Sequence, residues 1–259
     1  MPLAEIEVDG SIGTITLTHP EKRNALSAKL VEAVIDGFER MRREKVRAVV
    51  LRAPKGAKVW SAGHDVSELP EGRRDPLGWD DPLRHLVRAI EECPAPVIAL
   101  VEGGVWGGGC ETVFAADLIV AAPDATFAVT PAKFGLPYNV GGMLTFLNAT
   151  TIRIVKEMTF TGRPVSAKRA ERVGMINYVV PAEELEAFTY DLASIIAENA
   201  PLAVAVMKEE LRILAGAHPM SPQGFERIQG LRRLVYDSAD YREGVRAFKE
   251  KRKPAFRGA

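Results

Sequence analysis

The stretch VEGGVWGGGCETVFAADLIVAA, from Val101 to Ala122, places five glycines before a glutamate and then continues into a strongly apolar run. Glycine weakens regular structure, and a carboxylate among apolar residues is costly unless it is paired or solvated. The pattern therefore indicates a place where the backbone must approach something closely. The order of residues predicts a strand, a bend, and then a short helix that begins near Gly109.

Around this stretch, strands and helices alternate in the first part of the chain, and helices dominate the second part. GTITLTH and RAVVLRA have the β-branched composition of strands, whereas AKLVEAVIDGFERMRRE has helical apolar spacing after a Ser27 cap. Farther along, GGMLTFLNATTIRIVKEMTF predicts one helix. The sequence thus predicts an α/β core over residues 1–200 and a C-terminal helical region over 201–259.

Composition and charge narrow the class of protein. Lys and Arg together number 34, as do Asp and Glu, so the zero net charge favours neither nucleic acid nor an anionic membrane surface as a partner. The apolar runs are too short to span a bilayer, and the N-terminus does not resemble a signal peptide. Cys93 and Cys110 lack metal-site spacing and predict reduced core thiols. We expect a cytoplasmic or organelle-matrix protein without a metal.

The glycine run fits neither of two common phosphate-binding motifs, because no Gly-Lys-Ser/Thr follows it and its spacing is not G-x-G-x-x-G. What remains is a helix N-terminus whose bare N–H groups suit an oxygen that gains negative charge, or simply a tight packing turn. A second stretch, KVWSAGHDVSELPEG, also places small residues at a strand end. Two such ends could hold one carbonyl oxygen, as in the oxyanion hole of an enzyme that acts on a thioester or ester.

At these residues the chain resembles the crotonase family, also called the enoyl-CoA hydratase/isomerase family. The resemblance covers essentially the whole chain and includes, in order, HPEKRNALS, SAGHD, GGVWGGGCE, FTGRPVSAKRAERVGMINYVVP and AFKEKRKPAF. It implies a spiral of ββα units, C-terminal helices that build a homotrimer or a hexamer, and a coenzyme A thioester as ligand with no separate cofactor. By position, the oxyanion donors would be the backbone N–H groups of His64 and Gly108.

The choice of reaction depends on two acidic positions. The family's hydratases handle water with two glutamates, and Glu111 matches the first, but the residue after Pro131 in TPAKFGLP is Ala132. A methyl group cannot transfer a proton, so hydration is in doubt. Glu111 could be catalytic, or it could be structural, since the helix dipole favours a carboxylate in the first turn.

The stretch GLPYN, together with SELPEGRRDPL and FERIQGLRRLVYDSADYREG, is similar to family members that decarboxylate malonyl-type CoA thioesters. The resemblance implies that Tyr138 holds the substrate carboxylate, although a tyrosine in such a loop is commonly a packing residue. Loss of CO₂ needs no general base, and two N–H donors can stabilise the resulting enolate. The expected reaction converts methylmalonyl-CoA to propionyl-CoA and CO₂.

The same resemblance implies where coenzyme A binds. Lys22 and Arg23 would meet the phosphates, and Phe248 and Lys251 would come from the C-terminal helix of a neighbouring subunit. A solvated basic face and a core aromatic are the alternatives when these residues are considered alone. The remaining substrate-binding positions of these motifs are Ala25, Ala62, Asp65 and Val66.

Two rival interpretations stay open. One is another crotonase-type enzyme, such as a hydratase, an isomerase or a thioester hydrolase, that works with Glu111 alone. The other is a non-catalytic family member that binds RNA or a protein partner. The balanced charge and the absence of interleaved aromatic and basic residues argue against RNA.

Overall fold

Two β-sheets organise the computed structural model, which describes residues 2–70 and 75–258. Residues 71–74, part of the stretch SELPEGRRDPL, lie outside the described residues. In the larger sheet β1 is antiparallel to β2 and the other neighbours are parallel. Its strands, in spatial order, are β1 (Ala4–Asp9), β2 (Ile12–Leu17), β3 (Ala48–Arg52), β5 (Val97–Val101), β7 (Leu118–Ala121) and β10 (Tyr178–Val179).

The second, smaller sheet is built mainly from strands that each follow a strand of the larger sheet. In the sequence, β4 comes directly after β3, β6 after β5, and β8 after β7. These three strands are parallel to one another, and β9 pairs antiparallel with β8. Helices then follow these strand pairs, which gives the repeated ββα unit that the family resemblance implies. The strands are β4 (Val59–Ser61), β6 (Gly104–Trp106), β8 (Thr126–Ala128) and β9 (Val165–Ser166).

The helices of the first half pack on the sheets through apolar faces. Ser27 caps the first helix as predicted, because its hydroxyl accepts a hydrogen bond from Leu30 N at 3.3 Å. The helix predicted from GGMLTFLNATTIRIVKEMTF is instead two helices, and that prediction is wrong. Thr150 and Thr151 adopt extended backbone between them, where β-branched side chains favour a break. These helices are α1 (Ala28–Glu44), α2 (Pro82–Glu91), α3 (Gly108–Phe114), α4 (Val140–Ala149) and α5 (Ile152–Thr161).

Two apolar layers cover the larger sheet. Residues of β3 and β5 are buried at every position, which is typical of parallel strands covered on both faces. Val49 and Leu51 face the layer that includes α1 and α2, whereas Ala48 and Val50 face α7 (Ala182–Glu198). Both cysteines are buried free thiols, as predicted.

The C-terminal helices differ in how they meet this core. Helix α8 has no buried residue, and Leu202, Leu211 and Leu214 on it are 83%, 67% and 71% exposed. Lys208 of α8 links this helix to the residue that precedes β7, because its ammonium group donates a hydrogen bond to Asp117 Oδ2 at 2.6 Å. The remaining elements of this half are α6 (Ala167–Arg172), α8 (Pro201–Ala215), α9 (Pro222–Tyr236) and α10 (Ala239–Lys249).

Residues 2–70 and 75–258 include no single helix that combines the length and apolarity needed to cross a membrane, although the bent pair of α7 and α8 reaches both when the two helices are taken together. Nor do three or more His, Cys, Asp or Glu side chains within these residues lie close enough to hold a metal ion.

Candidate active site

A cavity of about 530 Å³ opens beyond the carboxyl ends of β4 and β6 and is closed on another side by α10. Ten of the twelve predicted site residues line it, and the exceptions are Glu111 and Lys251. The ten are Lys22, Arg23, Ala25, Ala62, His64, Asp65, Val66, Gly108, Tyr138 and Phe248.

The two predicted oxyanion donors lie side by side because β4 and β6 are parallel neighbours, with Ser61 opposite Val105. Neither the N–H of His64 nor that of Gly108 has a hydrogen-bond partner within the described part of the chain. A Cβ on Gly108 would lie 3.2 Å from His64 N, and a Cβ on Gly63 would lie 2.8 Å from Gly108 N. Bare glycine backbone therefore allows the two N–H groups to come together at the cavity wall.

The side chain of His64 is engaged elsewhere. Its Nε2 lies 3.0 Å from Asp81 Oδ2, and its Nδ1 lies 3.2 Å from the carbonyl oxygen of Asp65. Burial lowers the pKa of the imidazole, but these two acceptors together raise it above its usual value. Asp81 also caps α2 through Leu83 N, so one carboxylate fixes both the loop that carries His64 and the start of that helix.

Tyr138 lines the cavity from the segment before α4. Its ring packs edge-on against Phe146, with 4.9 Å between the ring centroids, and its hydroxyl has no hydrogen-bond partner among the residues described. Burial, followed by the neighbouring charge of Glu111, raises the pKa of Tyr138 well above its usual value. The hydroxyl therefore stays protonated at neutral pH and is free to donate a hydrogen bond to a ligand.

Asn139 holds this segment in place, a role that sequence reasoning missed. Its Nδ2 donates to the carbonyl oxygen of Leu77 at 2.8 Å, and its Oδ1 accepts from Gly142 N at 2.7 Å as the cap of α4. The signal was present in PYN, since asparagine before an apolar run is a preferred helix cap.

Glu111 is buried behind the cavity wall and pairs with Arg84 of α2. Burial raises the pKa of the Glu111 carboxyl to about 7, although the charge of Arg84 and its hydrogen bond act in the opposite direction. Sequence reasoning missed Arg84. The signal was its position next to Leu83 on an otherwise apolar helix face, where an arginine is expected only if it has a buried partner.

Lys22 and Arg23, which are expected to meet the phosphates of coenzyme A, line the cavity. Lys22 Nζ lies 3.3 Å from Asp65 Oδ2, and Arg23 turns the chain with a φ of 53°. Lys133 and Thr130, which sequence reasoning missed, also line the cavity. The one-turn helix Pro131–Phe134 carries Ala132 at an exposed position outside the lining.

The assignment of Phe248 to the site of a neighbouring subunit stays a prediction, but the position of Phe248 within a single chain was not expected. Phe248 lines the cavity of its own chain, and its ring centroid is 5.3 Å from that of Phe134. The cause is that α10 folds back over the turn before Tyr138, a long-range packing choice that local sequence does not encode. Lys251, just beyond α10, is exposed.

Comparisons with known proteins agree with this fold. A family model described as enoyl-CoA hydratase/isomerase matches residues 7–259. The chain is 50% identical over 247 residues to methylmalonyl-CoA decarboxylase of Escherichia coli strain K12, with 95% of each chain covered. It is also 36% identical over 254 residues to carnitinyl-CoA dehydratase of Salmonella typhi, with 96% of each covered.

Solved structures give the same answer. The structure titled methylmalonyl-CoA decarboxylase in complex with 2-nitronate-propionyl-CoA superimposes with a TM-score of 0.97 at 48% identity, covering 99% of both chains. Carnitinyl-CoA hydratase from Mycobacterium avium gives a TM-score of 0.81 at 30% identity over the full length of both chains. The predicted fold and family are thus confirmed, and the chain belongs to the enoyl-CoA hydratase/isomerase family, the crotonases.

Proposed function

We propose that this chain decarboxylates methylmalonyl-CoA to propionyl-CoA and CO₂ through an enolate of the thioester. The 50% identity to the E. coli decarboxylase supports the proposal, as does the likeness to solved structures of that enzyme with 2-nitronate-propionyl-CoA and with 2S-carboxypropyl CoA.

One observation carries the proposal from the structure itself. The cavity combines two backbone N–H groups, on His64 and Gly108, that lack hydrogen-bond partners within residues 2–70 and 75–258, with a protonated hydroxyl on Tyr138. The position that matches the second glutamate of the family's hydratases is Ala132, which lies outside the lining, and Glu111 is ion-paired with Arg84. Such a site is suited to stabilising an enolate and orienting an anion, and is poorly suited to activating water.

In the proposed mechanism, the thioester oxygen accepts hydrogen bonds from the two N–H groups, and the substrate carboxylate accepts one from Tyr138. This places the carboxylate so that the breaking C–C bond overlaps the carbonyl π system. The electron pair of that bond then moves into the C=C bond of the enolate, and the negative charge develops on the thioester oxygen. Neutral CO₂ leaves between apolar side chains such as Leu77, Leu83 and Leu136, and water protonates the α-carbon.

The direct test incubates the purified chain with racemic methylmalonyl-CoA and follows propionyl-CoA and CO₂ together. Equal amounts of both products are expected, and the Gly108→Pro variant serves as the control. Crotonyl-CoA and propionyl-CoA are assayed in parallel for hydration and hydrolysis. Turnover of either, without any CO₂ release from methylmalonyl-CoA, would replace the decarboxylase proposal with one of the rival enzymes.

We also propose that the chain acts as a homo-oligomer, either a trimer or a pair of trimers, in the cytoplasm. The exposed leucines of α8 support an oligomer, since an apolar helix face of this kind is usually covered by another chain. The proposed reaction needs no cofactor, because coenzyme A arrives as part of the substrate. The balanced charge supports a small-molecule substrate rather than nucleic acid.

A further inference from the structure

Helix α10 approaches the segment that carries Tyr138 closely enough for their backbones to touch. A Cβ added to Gly244 of α10 would overlap the carbonyl oxygen of Phe134, and one added to Gly135 would lie 2.8 Å from the carbonyl oxygen of Asp240. Gly135 also has a φ of +66°, a conformation that other residues adopt at a cost. The two glycines therefore fix how closely the helix and the turn approach each other.

A small apolar cluster surrounds this contact and is separate from the two main layers. Phe134 and Tyr138 pack against it, so the ring of Tyr138 lies between this cluster on one side and Phe146 on the other. Its buried members are Leu77, Leu136, Tyr236, Tyr241 and Val245.

Polar contacts at the edges of the cluster hold the same elements together. The hydroxyl of Tyr241 in α10 donates to the carbonyl oxygen of Pro70 at 2.7 Å. Arg232 of α9 donates to both carboxylate oxygens of Asp75, each at 2.7 Å. The C-terminal helices are thus joined to the loop before α2 as well as to the turn before Tyr138.

The hydroxyl of Tyr138 has no hydrogen-bond partner in the described part of the protein, so its position depends on how the ring is packed. Orientation of a reacting group is sensitive to displacements of about 1 Å, which can change a rate by roughly 100-fold. Because side chains of α10 pack in the cluster that contacts the Tyr138 ring, a shift of α10 can change the rate by moving that ring.

We propose that Gly244 is a positioning residue for decarboxylation, because its close contact with the turn at Phe134 sets where the Tyr138 hydroxyl stands in the cavity. This inference rests on the proposed function, since it concerns the orientation of a carboxylate that only that reaction removes. Helix α10 would then have two roles, because it also carries Phe248, which lines the cavity.

The test compares two glycine-to-alanine variants in neighbouring helices. Gly244→Ala must push α10 away from the turn, whereas a Cβ on Gly230 of α9 would have no neighbour within 4 Å. Both changes bring the same gain in helix propensity, about 1 kcal/mol. We expect Gly244→Ala to lower kcat for methylmalonyl-CoA by about 10- to 100-fold, and Gly230→Ala to leave kcat within about twofold of the wild type.

A double-mutant cycle then separates positioning from general support of the fold. If Gly244 acts through the hydroxyl, Gly244→Ala should change kcat by less than about threefold in a Tyr138→Phe background, since there is no hydroxyl left to misplace. At saturating propionyl-CoA, which has no carboxylate to orient, the rate of α-proton exchange should be nearly the same for the wild type and Gly244→Ala, even if the displaced Phe248 changes the affinity. Losses that multiply in the double variant would overturn the proposal, as would an equal loss of the saturated exchange rate.

A second variant decides the matter if Gly244→Ala does not fold. Val245→Ala removes buried volume from the same cluster without creating a clash. It should lower kcat relative to the wild type, and this effect should disappear in the Tyr138→Phe background; an unchanged kcat, or a loss that persists without the hydroxyl, would overturn the proposal. A wild-type chain that releases no CO₂ would refute the proposed function, whereas an active wild type with multiplying losses would refute only the positioning role.

Discussion

Replacing Tyr138 by phenylalanine removes one oxygen atom and leaves the ring contacts unchanged. The ring stays packed edge-on against Phe146 and against the cluster near α10, so the structural effect is confined to the hydroxyl. A hydrogen bond to a charged group is worth about 1.5–3 kcal/mol, which corresponds to a loss of roughly 10- to 150-fold in rate. We expect kcat/KM for methylmalonyl-CoA decarboxylation to fall by that factor.

The rate of decarboxylation is compared with the rate of a second reaction at the same site. Exchange of the α-proton of propionyl-CoA with deuterated water forms the same kind of enolate, yet it has no carboxylate for Tyr138 to hold. Exchange should therefore change by less than about threefold, because the oxyanion donors on His64 and Gly108 are untouched. Since the pKa of Tyr138 is raised well above its usual value, the ratio of wild-type to variant rates should also stay flat between about pH 6 and pH 9.

Two results would refute this reasoning. If decarboxylation and exchange fall together, the hydroxyl supports the oxyanion site or the fold rather than the carboxylate. If neither falls, Tyr138 is a packing residue, and the orientation step has no physical basis in this cavity.

Three other predictions test the surroundings of the site. Gly108→Pro removes one N–H donor, so turnover should fall by at least about 100-fold in a folded variant; near-wild-type turnover would dismiss the backbone oxyanion hole. Asp81→Asn removes the carboxylate that helps to raise the pKa of His64, so NMR titration should report a lower His64 pKa; an unchanged value would mean that another group determines it. Leu211→Glu combined with Leu214→Glu places charges on the exposed face of α8, so sedimentation should show a smaller species than for the wild type; a wild-type chain that is already monomeric would contradict the proposed oligomer.

Local sequence predicted the parts of the site that depend on local chemistry. The small residues before His64 and Gly108 must turn the chain with bare backbone, and that requirement is readable without a structure. Ser27 as a cap and the buried cysteines are of the same kind, because each follows from a residue and its near neighbours. The missing second glutamate and the family fold came instead from the resemblance, which rests on the order of several motifs.

The rest depends on contacts between distant residues. Arg84 and Glu111 are 27 positions apart, and only their meeting explains why each is buried. The strands of the smaller sheet have two to three residues each, too few for a reliable pattern. The packing of α10 over the cavity of the same chain requires both Gly135 and Gly244. Neither glycine alone predicts that Phe248 lines this cavity.

The variant Glu111→Gln tests whether Glu111 has a structural or a catalytic role. The first measurement is the free energy of unfolding as a function of pH. Burial raises the pKa of Glu111 from 4.5 to about 7, so between these values the native state binds more protons than the unfolded state. Its contribution to stability is then present below the unfolded pKa and lost as the pH rises through the folded pKa. Between pH 5 and pH 8 the wild type should lose about 2–3 kcal/mol of unfolding free energy relative to the variant, measured by urea titration.

Activity gives the second half of the test. The amide of Gln can still accept the hydrogen bond of Arg84 but carries no charge, so the variant should resemble the protonated wild type and its stability should not change with pH through this position. Decarboxylation by the folded variant should remain within about tenfold of the wild type, because the proposed enolate needs only the N–H donors and Tyr138. A loss of more than about 100-fold, with propionyl-CoA binding intact, would instead place Glu111 in the chemical step. A stability difference that does not change with pH would contradict the raised pKa of Glu111, because it would mean that Arg84 fully offsets the effect of burial.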